Sequence, residues 1–588
     1  MLYIDGRRLY KAFLAGSQSV FSQREYLNEI NVFPVPDADT GANLSATLKN
    51  IVDASEYDLC LKTTANNLAE NALTMARGNS GIIFSQFLFG ISQELENEKR
   101  QTIKKFSAAI NKAVSYMYRS LLNPVEGTMI TVIRDWAESF HHHSEKTNDL
   151  LKIFEQSLVK AKESLVETQT RLAALKKAGV VDAGGMGFVV FLEGILKYLK
   201  TGKLEFSYIK HQSLSVEHVH EEYQGEYRYC CETLLTNLKK EPEELVNDLG
   251  RFGDSVAIAG GKNRLHLHIH SNAPTEVFHF LSQNANIGSV KVDDMKWQHI
   301  IQEKRKYKTG LITDSAADIP LELIEKYQIN RIPIKIIFGE DIYLDKVTIN
   351  PEMFYKLIDS GEQFPRSSQP DPAQVSSTID FVSSHYSQVI NISISSQLSG
   401  VYNLMNQAVK GEDNVAVFDS RHLSVSEGLL VLRVAEAIDQ GMEYQEILEN
   451  LSDWRSGSWI FTDIHSLNYM VRGGRVSPLK GKIVKLLNLK PIVSLDDKGK
   501  AIAWGKSFSR KANFDKIIKL VEEKASEGYL WNYAIVHAQS LSRAKKYAEE
   551  LESILNKEPM YIMDISPVVG VHNGPGACAV GLLIEKEK

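Results

Sequence analysis

Residues 31–43 read NVFPVPDADTGAN, and the fold turns on how this run is understood. Asp37 and Asp39 stand two apart in a loop stiffened by Pro34 and Pro36. In extended backbone, residues i and i+2 point the same way at about 7 Å spacing, so both carboxylates reach one side. Two hard-oxygen ligands so placed suit Mg²⁺, which keeps several waters and binds substrate phosphates. Gly41 follows and a helix starts, whose free N–H groups can help hold a phosphate. Taken by themselves, the two aspartates are equally ordinary as turn residues and helix caps.

Working outward, the first two hundred residues predict helix after helix. Apolar residues recur at helical spacing in Leu9–Phe13, Leu44–Ile51, Ile82–Ile91 and Phe188–Leu199. Short loops marked by Pro or Gly separate them: VFPVPDADTG, ARGNSG, NPVEGT and VVDAGGMG. A helical bundle with function in the loops at one end is the simplest architecture. The polar stretch 201–227 reads as a linker. RYCCETLL, DSVAIAG and RLHLHIH then read as strands, with GGKN a turn between the last two. Helices around Pro242–Leu249 and Pro274–Ser282 complete a small α+β unit. From Lys308 onward, KTGLITD, RIPIKIIF, QVINISI and DNVAVFD alternate with helical segments such as Leu321–Tyr327 and Gly428–Asp439. That alternation predicts an α/β sheet with parallel strands.

The chain is multidomain on these grounds, with divisions expected at 1–202, 203–306 and 307–588, since 588 residues exceed what one core sustains. Hydrophobic content of 43% and charged content of 24% are those of globular domains. A formal net charge of -6 argues against a general nucleic-acid or membrane-surface role. No run approaches the ~18 apolar residues of a membrane span, and the N-terminus lacks a signal-peptide core. Four cysteines, Cys60, Cys230, Cys231 and Cys578, do not make a disulfide framework, so the expected compartment is cytoplasmic.

Two further patterns carry chemistry. His266, His268 and His270 alternate with Leu265, Leu267 and Ile269, which puts the imidazoles on one strand face. A solvent-facing strand is one reading. A Zn²⁺ site is the other, with Cys230 and Cys231 supplying sulfur from a neighbouring strand. His141–His143, in a polar loop, reads as solvated surface. In the last half, polar motifs recur at strand ends: ITDSAADIP, RSSQPDP, ISISSQLSGVYN, VFDSRHLS, MVRGGRVS, LLNLKPIV and VHNGPGA. Ser399–Gly400 before a helix suits anion binding, and Arg475 after two glycines suits a charged clamp. Helix caps, turns and a structural His572 are the plainer readings of the same residues.

In order across residues 4–194, IDGRRLYKAFLAG, INVFPVPDADTGANLSATL, ARGNSGIIFSQFLFG, PVEGTMITVIRD and AGVVDAGGMGFVVFLEG resemble the nucleotide-binding domain of the dihydroxyacetone kinase family, in its bacterial fatty acid kinase branch. The resemblance implies an all-α eight-helix barrel that binds ATP. Asp37 and Asp39 would be Mg²⁺ ligands and Asn31 a further candidate. Thr40, Asn43, Ser80, Gly81 and Thr128 would contact the nucleotide, with Asp182 and Gly184 lining its site. YCCE and HLHIHSNAP resemble the middle domain of fatty acid kinases, implying Cys230, His268 and His270 as Zn²⁺ ligands of open role, structural or catalytic. The motifs after residue 308 resemble the DegV family of fatty-acid-binding proteins, a two-lobed α/β fold with a buried acyl tunnel. Ser367 and Ser399 map to its carboxylate contacts, and Arg475 and His572 to residues near the transferred phosphate.

Some residues depart from the families' patterns. Ala38 replaces the Gly usual between the two aspartates, where a positive φ would strain a methyl group by ~1 kcal/mol or more. Ser367 stands for a usual Thr, Val401 for a usual Thr, His266 for a Lys and Cys231 for a Thr. The expected function is ATP-dependent phosphorylation of a bound fatty acid to an acyl phosphate. The rivals are a lipid carrier with a regulatory nucleotide-binding domain, and a kinase of another small substrate such as a hydroxy ketone. Expected ligands are a fatty acid or other acyl ligand and ATP. Separate fatty-acid-binding or acyltransferase proteins and a second copy of the chain are left open as partners.

Overall fold

Asp5 accepts the Arg8 N–H at 2.9 Å and so starts the first long helix, immediately after the strand β1 (Tyr3–Asp5). In this computed structural model the described residues are 3–33, 39–204, 225–361, 363–465, 468–474, 490–507 and 509–586. They form two compact units, 1–299 and 300–588. Within the first unit the chain runs through α1 (Gly6–Ser22), α2 (Arg24–Glu29), α3 (Thr40–Ala54), α4 (Leu61–Met75) and α5 (Gly78–Glu94). After the short strand β2 (Arg100–Thr102) come α6 (Ile103–Arg119), α7 (Met129–Lys146), α8 (Leu150–Arg171), α9 (Ala173–Ala178) and α10 (Ala183–Thr201).

All four apolar-periodic segments lie inside helices, namely α1, α3, α5 and α10. Helix α1 packs on α3, α4 and α10, and successive neighbours α4–α5, α5–α6, α6–α7, α7–α8 and α8–α10 close the circuit. Its middle is aromatic: Phe84, Phe191, Phe87, Trp136, Phe140, Phe154 and Phe188 meet edge-on or tilted. Two expectations shift here. The GNSG and AGGMG runs are not loops but the first turns of α5 and α10. Their glycines serve close packing; a β-carbon on Gly187 would lie 2.5 Å from Leu44 Cδ2. His141–His143 belong to the last turns of α7, not to a loop.

The chain then builds β3 (Tyr229–Thr236), α11 (Pro242–Leu249), β4 (Gly253–Gly261), β5 (Arg264–Ser271), α12 (Pro274–Asn284), β6 (Asn286–Asp294) and α13 (Met295–Glu303). The strands form one antiparallel sheet in the order β4-β5-β3-β6. Helices α11 and α12 pack on it, and Leu265, Leu267 and Ile269 are wholly buried. The histidine face is buried as well, His266, His268 and His270 being 5%, 2% and 7% exposed, which overturns the solvent-facing reading. The cause is a second layer. Leu73, Ala76 and Ile82 of the helical part share a core with Ala257 and Ala259 of β4. The bond from Leu122 N to Val256 O (3.0 Å) and that from Ile258 N to Ser120 O (2.9 Å) add residues 120–122 along the edge of β4. Gly260 N donates to Gln86 Oε1 at 2.7 Å.

In the second unit, β7 (Thr309–Asp314), β8 (Ile329–Ile332), β12 (Gln388–Ser393) and β13 (Val415–Asp419) form a parallel sheet ordered β13-β12-β7-β8. RIPIKIIF is not one strand. Pro333, lacking a ladder N–H, divides it into β8 and β9 (Lys335–Phe338). Strand β9 joins β10 (Asp341–Leu344) and β11 (Arg366–Ser368) in a separate antiparallel sheet. A six-stranded sheet, ordered β16-β15-β14-β19-β17-β18, contains β14 (Ser458–Asp463), β15 (Lys490–Leu495), β16 (Ala501–Ser507), β17 (Tyr529–His537), β18 (Ile562–Asp564) and β19 (Cys578–Glu585). All its pairings except β17–β18 are antiparallel, so the parallel sheet expected throughout holds only for the first lobe. The buried helix Ser424–Asp439 packs against β7 and against β14, β17 and β19. Among the described residues, no helix is long and apolar enough to cross a membrane.

Candidate functional site

At the start of α3, Asp39 occupies the N-cap position but its side chain makes no capping bond. Its Oδ2 instead accepts from Asn43 Nδ2 at 2.7 Å, one turn on. The Thr40 hydroxyl donates to Asn31 Oδ1 at 2.8 Å, which ties the buried Asn31 to the same helix end. Asn31, Asp39, Thr40 and Asn43 all line one cavity of about 430 Å³ in the first unit. Asp37 and Ala38 lie outside the described residues.

Ser80, Thr128, Asp182 and Gly184 line that cavity too. Ser80 sits in the first turn of α5, and a β-carbon on Gly184 would be 2.8 Å from its Oγ, so the glycine leaves that hydroxyl its room. Thr128 precedes α7 and donates its hydroxyl to Val125 O at 2.8 Å. Asp182 does cap: its Oδ2 accepts Gly185 N at 2.7 Å, while burial pushes its carboxyl up to about 6. Gly81 is placed differently. It is not on the cavity wall; a β-carbon there would meet Thr47 Oγ1 at 2.6 Å, so it serves the approach of α5 to α3.

Residues of the β sheet line the same cavity. Cys230, His268 and His270 line it, and their ligand atoms lie within 4.8 Å of one another. Cys230 Sγ is 3.6 Å from His268 Nδ1. Glu232 Oε1 faces the same Nδ1 at 3.3 Å, so Nε2, which is buried and makes no hydrogen bond, is the His268 nitrogen left to ligate, and one thiolate with two imidazoles is a donor set that suits tetrahedral Zn²⁺. Burial pushes the Cys230 thiol well up and the His270 imidazole down to about 3. Both shifts reflect the poor solvation of charge at this wall. Cys231 points to the other face and is buried.

The register shows residues the sequence reading passed over. Cys230 pairs with His270 and Asp293, and His270 pairs with Asp254, forming one row across four strands. Glu232 pairs with His268 and Lys291 in the next row. Asp254, Glu232, Lys291 and Asp293 all line the cavity. Glu232 is held below the usual carboxylate range: burial opposes this, but the Lys291 ammonium and the His268 hydrogen bond outweigh it. The signal was available, since C-x-E at 230–232 and K-x-D at 291–293 have the same period of two as the histidines.

A second cavity, of about 300 Å³, lies within the other unit. Ile334, Leu398, Leu423, Ile460, Met470, Val493 and Val569 give it an apolar wall; Ser367, Gln369, Ser399 and His572 give it a polar one. Ser367, on β11, has its Oγ 3.1 Å from His572 Nε2. Ser399 Oγ accepts from Val401 N at 3.4 Å at the head of the helix Val401–Ala408. Gly473 lies so close to His572 Nδ1 that a β-carbon would overlap the ring. The helix that bears His572 is set by buried carboxylates. Asp318 accepts Ser566 N at 2.8 Å and Asp345 accepts Val568 N at 3.1 Å. The aspartates of ITDSAADIP are thus structural acceptors, Asp314 taking Ala316 N and Ile394 N. Arg475 lies outside the described residues.

Three family models match the chain in succession. A DAK2 domain matches residues 34–197, a middle domain of the fatty acid kinase type matches 226–302, and the DegV family matches 308–585. The chain is therefore a fusion of a dihydroxyacetone-kinase-type domain, a fatty-acid-kinase-type middle domain and a DegV domain. Its N-terminal part is helical and its C-terminal part DegV-like α/β. An uncharacterized protein of Staphylococcus aureus strain USA300 is 30% identical over 338 residues, which are 55% of this chain and 62% of the relative; that of strain COL matches equally. The chain thus spans less than two thirds of the length of these curated relatives. Among solved structures, DegV of Bacillus subtilis, described as a fatty acid binding protein, is 29% identical with a TM-score of 0.44, covering 48% of this chain and 100% of that one. A DegV lipid binding protein of Thermotoga maritima is 26% identical with a TM-score of 0.42, covering 48% and 100%.

Proposed function

We propose that the chain uses ATP to phosphorylate a bound fatty acid, giving an acyl phosphate and ADP. The convergence of Asn31, Asp39, Asn43, Ser80, Thr128 and Asp182 on one cavity carries this reading. Mg²⁺, held by Asp39 together with Asp37 and Asn31, supplies neutralisation of the ATP phosphates. Thr40 and Asn43 hold Asn31 and Asp39 in place. Ser80 and Thr128 offer hydroxyls and the head of α5 offers backbone N–H groups to the phosphates. The closed circuit of long helices supports an eight-helix barrel for 1–202, with a middle domain at 203–306 and the DegV-like domain at 307–588.

In the second unit the apolar wall takes the acyl chain. Ser367 and Ser399 fix the carboxylate, which is itself the nucleophile and needs no general base. His572 orients the Ser367 hydroxyl, and Arg475 with His572 stabilises charge shared between carboxylate and phosphoryl group. Joining both halves in one chain replaces bimolecular encounter with a high local concentration. Zn²⁺ is the ion that the Cys230, His268 and His270 donor set suits. Cysteine usage favours the cytoplasm. Separate fatty-acid-binding or acyltransferase proteins and a second copy of the chain are the partners this chemistry admits.

The test is ADP release from the full chain with ATP, Mg²⁺ and oleate, with acyl phosphate trapped by hydroxylamine. Turnover is expected, and Asp39→Asn should lower kcat by about a hundredfold or more. Oleate bound without turnover would sink the phosphotransfer reading in favour of a carrier. Turnover with dihydroxyacetone in place of oleate would move it to a hydroxy-ketone kinase.

A further inference from the structure

Glu232 is a buried carboxylate with two duties. Its Oε1 accepts the backbone N–H of Gly78 at 2.6 Å, at the first residue of α5. The same oxygen lies 3.3 Å from His268 Nδ1, and Oε2 lies 3.7 Å from Lys291 Nζ. Gly78 has φ +61°, and a β-carbon on it would stand 2.7 Å from Asn43 Nδ2. Asn43 Nδ2 in turn donates to Asp39 Oδ2 at 2.7 Å. Hydrogen bonds thus join the Cys230–His268–His270 cluster to Gly78 through Glu232, and Asn43 to Asp39, with Gly78 and Asn43 packed so closely that no β-carbon fits between them. An ion pair with Lys291 alone would not require the bond to Gly78.

The geometry points to Glu232 as a positioning residue that couples a divalent ion on the cluster to nucleotide binding. The inference rests on the phosphotransfer reading above. Carboxylates beside metal-bound histidines fix ring orientation and tune the ligand. Here that carboxylate also anchors the backbone of the phosphate-facing helix end. Fixing His268 fixes the oxygen that holds Gly78, and so the Ser80 hydroxyl two residues on and the Asn43–Asp39 pair beside it. Coupling of this kind is reciprocal: whatever factor zinc adds to nucleotide affinity, nucleotide adds to zinc affinity.

The experiment uses the full chain, zinc-loaded or stripped with a chelator, in constant Mg²⁺. Affinity for a fluorescent ATP analogue is titrated in both forms, and zinc affinity is measured against a chromophoric chelator with and without the same analogue. About tenfold tighter nucleotide binding in the zinc form is expected, with the same factor in the reciprocal titration. In Glu232→Gln the cluster should still take zinc, while the coupling factor falls close to one. Equal nucleotide affinity in the two forms overturns the inference while leaving the phosphotransfer reading standing. Coupling undiminished in Glu232→Gln, or failure of the wild-type chain to bind zinc, also overturns it. Absence of nucleotide binding in either form overturns both. Where the variant does not fold, a wild-type cycle that shows no coupling still overturns the inference.

Discussion

Asp345 illustrates what single buried groups contribute. Its carboxyl is pushed up to about 7 by burial, and that of Asp314 to about 6. A folded-state value above the ordinary 3.8 means that the native chain holds the proton more tightly than the unfolded chain. Their contribution to stability is therefore fully present below about pH 4 and is lost as pH rises toward 7. Asp345→Asn keeps an acceptor for Val568 N but cannot ionise. Its Tm should fall less between pH 5 and pH 8 than that of the parent; an unchanged or steeper slope would remove Asp345 from the account. In the cavity of the second unit, Ser367→Ala deletes a hydroxyl that lies 3.1 Å from His572 Nε2. Loss of one hydrogen bond of about 1 kcal/mol predicts roughly fivefold weaker fatty-acid binding in a displacement assay.

At the scale of elements, the crossing of α1 and α10 is set by glycine on both sides. A β-carbon on Gly16 would lie 2.9 Å from Phe191 O, and one on Gly194 would lie 2.5 Å from Ala15 O. Gly16→Val should destabilise the chain by about 1–3 kcal/mol in denaturant unfolding, because there is no room to fill. Such contacts also mark how far the sequence could be read. Helical periodicity located α1, α3, α5 and α10, although Gly81–Phe87 of α5 and Phe188–Leu192 of α10 are buried without a break, all round the helix. It misplaced the GNSG and AGGMG runs, since glycines at a helix head look like loop residues until the neighbouring helix is present. Strand β6 was missed because NIGSVKVDD lacks strict alternation, and β3 meets it with a register shift between Thr233 and Leu235. Period two did place the three histidines on one face, yet it does not state what covers a face. Solvent and a second helical layer give the same pattern. Cys230, His268 and His270 were visible through family likeness; Glu232 and Lys291 required the cross-strand register.

At the scale of the molecule, each of the two units has a cavity of its own. Residues 300–588 expressed alone should fold and bind a long-chain fatty acid, since both the apolar and polar walls of that cavity come from within the unit. A fragment that folds but binds no fatty acid would count against the acyl reading. The first unit does not divide so easily. Residues 120–122 complete the edge of β4, and Leu73, Ala76 and Ile82 close against Ala257 and Ala259. A chain cut at residue 202 would carry a bare apolar patch, and residues 226–302 alone would offer an open strand edge, both prone to self-association. In inheritance, then, the helices and the sheet behind them are one exchangeable block: recombination that joins this kinase-type domain to a new partner domain must carry the sheet along with it.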